Sequence, residues 1–108
     1  MSHFADDKRV VGWDLYNEPG NEALNLKGHN KFEIKENKRI FTLSLLKKTF
    51  NWAREVNPSQ PITTSIWKAS GEDKNWSKVD SLSDLSRFAI SNSDVISFHT
   101  YGNIEEMN

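Results

Sequence analysis

Residues 10–16 (VVGWDLY) form an apolar, β-favouring run that ends directly in Asn17, Glu18 and Pro19. A carboxyl group at the lip of a buried strand, with an amide beside it, can give up a proton and take it back. About eighty positions later, residues 94–101 (DVISFHTY) end on an imidazole and a phenol, His99 and Tyr101. These groups suit proton transfer to, and hydrogen bonding of, a polar substrate. Thiolate chemistry is excluded by the absence of cysteine, which also leaves the redox compartment open. His3, His29 and His99 lie far apart without metal-ligand spacing, so no metal and no cofactor is expected.

Such side chains act together only if the chain brings them together. Residues 38–56 predict an amphipathic helix, because Ile40, Leu43, Leu46, Phe50, Ala53 and Val56 recur at spacings of three and four. Asn37 suits its N-cap, and Asn57-Pro58 its end. Residues 61–67 (PITTSIW) read as a second strand, 68–80 as a polar loop, and 81–91 as a short helix. In that helix Ser81 and Asp84 resemble a capping box, and Leu82, Leu85, Phe88 and Ala89 form the apolar side. Residues 94–101 are the third strand expected.

Strands alternating with helices imply a parallel sheet, with sites at the carboxyl ends of the strands. Period-two geometry puts Glu18 on one face with Tyr16, Asp14 and Gly12, and Leu15, Trp13 and Val11 on the other. His99 and Tyr101 likewise share a face with Ser97, opposite Ile96 and Phe98. One polar and one greasy face is the pattern of a barrel interior opening into a pocket. Three parallel strands with uncovered edges also look like part of a larger sheet.

WDLYNEPG followed by SFHTYG resembles the clan of (β/α)8-barrel retaining glycoside hydrolases of the cellulase and mannanase type. The resemblance implies an α/β fold: a partial (β/α)8 TIM barrel of three parallel strands, with residues 1–108 as the central segment covering strands four to six. It implies that Glu18 is the general acid/base, that Asn17 binds the sugar hydroxyl beside the reacting carbon, and that His99 and Tyr101 border the sugar and the nucleophile. It also implies cleavage of β-glycosidic bonds in oligo- or polysaccharides by double displacement. Apolar walls and a neighbouring carboxylate are expected to push the Glu18 pKa upward. The clan's nucleophile stands on strand seven, beyond these residues. Glu105 and Glu106 follow no apolar strand and are poor substitutes. Export, to the periplasm or outside the cell, is what the resemblance suggests for localisation.

Plainer readings stand beside these. Asp14 lies deeper than Glu18 and suits a structural bond to a partner from an absent strand. Trp67 either offers a sugar-stacking face or packs in the core. Trp76, in the loop after the second strand, is a candidate sugar platform, whereas Trp13 and Trp52 are expected in the core. The charged residues 31–39 read as a solvated surface. A net charge of −1 with scattered lysines argues against nucleic acid as a partner. No apolar run approaches the roughly 20 residues of a membrane span. A chain of 108 residues, 36% hydrophobic and 27% charged, can bury one modest core and is not disordered. The alternative to an enzyme is a non-catalytic carbohydrate-binding or degenerate barrel module. Taken alone, these residues are expected to hydrolyse negligibly and to self-associate through open sheet edges.

Overall fold

The computed structural model describes residues 1–21, 35–66 and 75–99. After a 3-10 turn at Ser2–Phe4, the described elements are β1 (Trp13–Asp14), α1 (Lys35–Val56), β2 (Ile62–Thr63), a 3-10 turn at Val79–Ser81, and α2 (Asp84–Asn92). β1 and β2 pair in parallel, Trp13 opposite Ile62 and Asp14 opposite Thr63. The amides of Trp13 and Leu15 donate to the Pro61 and Thr63 carbonyls at 2.9 Å each. Gly12 suits this close approach, since a Cβ there would come within 3.3 Å of the Pro61 oxygen.

The expected partial (β/α)8 barrel with three parallel strands is corrected by this sheet, which has two strands among the described residues. The stretch expected as a third strand makes a single parallel bridge, Ile66 with Phe98. Side chains account for the difference. The Ile62 amide donates to the Asp94 carboxylate at 2.8 Å, and the Thr64 amide to the Ser93 hydroxyl at 3.3 Å. The Thr63 hydroxyl donates to the Val95 carbonyl at 2.6 Å. Three backbone bonds do run between the two segments, from the Asp94, Ile66 and His99 amides to the Ile62, Ser97 and Ile66 carbonyls, but side chains take the Ile62 and Thr64 amides and the Val95 carbonyl among them, which competes with a regular ladder.

Helix α1 supplies most of the core. Leu46, Phe50 and Ala53 are buried on one face, against Ile62 of β2 and Leu85 of α2. Leu15, Tyr16, Leu43, Phe88 and Met1 pack around this cluster, and Phe50 meets Phe88 edge to face at 5.3 Å. The spacing of the apolar residues thus locates the buried stripe. Asn37, expected as the cap, lies inside the helix, because polar residues 35–37 continue the helical backbone without adding to the apolar period. Ile40 is exposed, and so is Trp52 at 58%, which corrects its expected place in the core. Trp52 falls on the same side of the helix as exposed Phe41 and Leu45, away from Leu46 and Phe50. The helix stops at Asn57, whose φ of 50° is a left-handed termination, followed by Pro58.

α2 begins later than the sequence suggests. Leu82 is extended, and Ser83 rather than Ser81 is the N-cap, its hydroxyl accepting from the Ser86 amide. Ser81 instead closes the preceding turn by donating to the Lys78 carbonyl at 2.8 Å. Asp84 sits in the first turn, where the helix dipole favours an anion, and pairs with Arg87 at 2.7 Å.

Two side-chain clamps tie the layers. Buried Gln60 accepts from the Trp13 indole at 3.1 Å and donates to the Asp7 carbonyl at 2.8 Å, holding the N-terminal arm against β1. Trp13 is therefore half-buried and hydrogen-bonded rather than enclosed in the core. Arg54 of α1 forms a two-pronged pair with Asp94, at 2.7 and 2.8 Å. The guanidinium, and then the Ile62 amide, hold the Asp94 carboxyl below the usual carboxylate range. Since the folded value is depressed, its contribution is present above about pH 4 and is lost as pH falls through the folded value. Both partners are well exposed, so the contribution is below about 1 kcal/mol. Urea unfolding of wild type and Arg54→Met should differ near pH 7 and converge toward pH 2.

Candidate functional site

The strands have two distinct faces. Leu15 and Ile62 turn toward the helices. On the other side, Asp14 accepts from the Ser65 hydroxyl at 2.5 Å, and the Thr63 hydroxyl lies 3.0 Å from that of Ser97. Asp14 thus has a structural partner within this chain, not one from an absent strand. The alternation expected for residues 12–18 breaks at Tyr16, which packs against the apolar cluster while its carbonyl accepts from buried Thr64 at 2.9 Å. The backbone bends at Tyr16 and Asn17, just ahead of Glu18.

Glu18 opens a tight turn. The Asn21 amide donates to the Glu18 carbonyl at 2.9 Å, with Pro19 and Gly20 at the centre. Pro19 is buried. Glu18 itself has a φ of 50°, a region uncommon for residues other than glycine, and one that costs about 1–3 kcal/mol where the surroundings enforce it. The turn aims its carboxylate at the last segment. Oε1 lies 2.6 Å from His99 Nδ1, and Oε2 accepts from Asn21 Nδ2 at 2.8 Å. The Glu18 side chain is 10% exposed and that of His99 31%, so the carboxylate is shielded while the imidazole stands at the water edge.

The approach is a hydrogen bond whose donor depends on the imidazole tautomer.

Glu18 and His99 are thus brought together. Asn17 is exposed at the bend beside them. Trp67 and Tyr101, like Glu105 and Glu106, lie outside the described residues. Trp76 packs edge-on against Phe98 at 5.2 Å. Its indole nitrogen is buried without a hydrogen-bond partner.

Two residues at the site went unread in the sequence, Asn21 and Lys38. Asn21 follows Glu18 by three positions across Pro-Gly, a spacing that signals a closed turn. Lys38, whose Nζ donates to the Asn21 carbonyl at 2.9 Å from α1, carries no such local signal. Among the described residues no cluster of His, Asp and Glu could hold a metal ion, and no helix is long and apolar enough to cross a membrane. In comparisons with known proteins, no family model matches this chain, and no curated protein or solved structure is significantly similar to it.

Proposed function

We propose that the chain carries the proton-transfer machinery of a retaining glycoside hydrolase acting on β-linked oligo- or polysaccharides, with Glu18 as general acid and then general base. The observation that supports this reading above all is the 2.6 Å approach of Glu18 and His99 across 81 residues. A shielded carboxyl group at the end of a strand, strained in its backbone and paired with an imidazole, is suited to passing a proton in and out.

In the first step the Glu18 proton goes to the departing glycosidic oxygen. A second carboxylate, from outside the described residues, attacks the anomeric carbon from the opposite face and forms the glycosyl-enzyme ester. In the second step Glu18 removes a proton from water, whose oxygen displaces that carboxylate. Asn17 grips the neighbouring sugar hydroxyl, His99 holds the Glu18 carboxylate between steps, Tyr101 donates to the attacking carboxylate, and Trp67 offers a stacking face. Neither step uses a cofactor.

The test is to express the chain with any flanking coding sequence and follow an aryl β-glycoside by proton NMR. Release of the β-anomer first supports double displacement; release of the α-anomer, or no hydrolysis of any β-linked substrate, overturns the reading. A saccharide-binding role without turnover is favoured by one observation. Asp14, the neighbouring carboxylate of this face, is taken up in structural bonds with the Ser65 hydroxyl and the Tyr16 amide. Oligosaccharide-induced shifts of the His99 resonances without any turnover would select that role.

A further inference from the structure

We propose that Asn21, anchored by Lys38, is the positioning residue of Glu18, holding Oε2 so that Oε1 is presented to His99. The inference rests on the reading of Glu18 as the proton-transfer group, and it concerns how that group is held.

A carboxylate on a flexible side chain points in many directions, and a left-handed residue in a turn is held there only by its neighbours. Asn21 restrains both parts of Glu18 at once. Its backbone amide takes the Glu18 carbonyl at 2.9 Å, and its side-chain amide takes Oε2 at 2.8 Å. The first bond would close the turn whatever side chain stood at position 21. The second is not needed for the turn and is directed at the functional group. Asparagine fits this task because its amide donates without carrying charge, whereas an aspartate of the same shape would repel the carboxylate.

The turn is in turn fixed to the body of the protein. Lys38 Nζ donates to the Asn21 carbonyl at 2.9 Å, seventeen residues along the chain. Lys38 belongs to the same helix as Leu46 and Phe50, so the clamp is rooted in the element that supplies the core. The carboxylate is therefore held from one side by α1, through Lys38 and Asn21, and from the other by His99. The titratable groups that face this arrangement include His99 from the last segment and Lys38 from α1.

The experiment is a carbon-13 NMR titration of the Glu18 carboxyl carbon in the 108-residue chain, with the His99 ring nitrogens followed alongside. An amide donated to a carboxylate favours its charged form. In Asn21→Ala the pH midpoint of the Glu18 signal should rise by about one unit, as a hydrogen bond to a charged group implies. In Asn21→Asp, which keeps the shape, it should rise further. Lys38→Met should shift it upward by less, and Lys38→Arg should restore it. The backbone amide spectrum of β1, β2 and α1 identifies variants that keep the fold, and Asn21→Asp decides the matter if Asn21→Ala does not fold. Midpoints equal to wild type in folded Asn21 variants would overturn the positioning role and leave the hydrolase reading standing. Absence of glycoside turnover would do the reverse, since this titration does not depend on turnover.

Discussion

Glu18→Gln should lower kcat/KM on β-glycosides with poor leaving groups by roughly 10²–10⁴-fold while sparing dinitrophenyl glycosides. Glutamine keeps the length and shape of the side chain; its carbonyl oxygen can accept from the Asn21 amide while its NH2 donates to Nδ1 of a neutral His99 imidazole. What it lacks is the acidic proton. A poor leaving group departs as an alkoxide unless it is protonated, so its departure suffers in full. A dinitrophenolate needs no proton, so formation of the glycosyl ester survives, and the loss moves to the later step in which Glu18 activates water. This split depends on leaving group and cannot arise from a damaged fold. Paired kcat/KM measurements on the two substrate types, with thermal midpoints to verify folding, would check it. Equal losses on both, or wild-type turnover of the poor substrate, would remove Glu18 from the acid role.

The second large effect concerns stability. Leu46→Ala should destabilise the chain by about 3 kcal/mol, whereas Trp52→Ala should cost less than about 0.5 kcal/mol. Leu46 is fully buried, at the junction of α1, β2 and α2, where truncation leaves a cavity that several elements would have to move to fill. Trp52 projects into solvent from the same helix. Domains of this size have a stability of about 5–15 kcal/mol, so the Leu46 variant would lose a large share of it and melt more than ~10 °C lower. Urea and thermal denaturation of both variants would test the contrast. A Trp52 variant as unstable as the Leu46 variant would contradict the burial pattern.

The same two residues illustrate what the sequence could convey. Recurrence at three and four positions marks Leu46, Phe50 and Ala53, because a helix that buries one face must repeat with its own pitch. The period does not show where packing partners end, so Ile40 joins the pattern yet lies exposed, and hydrophobicity alone misplaces Trp52. The N-cap assignments failed for a related reason: serine and asparagine suit both a cap and a turn, and Ser81 and Ser83 stand two residues apart. At 94–101 the alternation of apolar and polar residues resembles a strand. Alternation does not reveal that the Ser93 and Asp94 side chains take two amides, and the Thr63 hydroxyl a carbonyl, from between the backbone bonds that join the two segments, which leaves the sheet of the described residues with two strands. At the candidate site, Glu18 and His99 were legible because each terminates an apolar run. Asn21 was only half legible, through the Pro-Gly spacing, and Lys38 not at all, because a contact over seventeen residues leaves no local imprint.

The way the last segment is attached has a consequence for the pair of Glu18 and His99. Glu18 is moored to the body of the protein through α1, and His99 through β2 and the residues after it: its own amide donates to the Ile66 carbonyl, and the Asp94 and Ile66 amides to the Ile62 and Ser97 carbonyls. Acid and imidazole thus take their places from two elements that share the Leu46 core, so a variant that loosens that core should also spoil their approach.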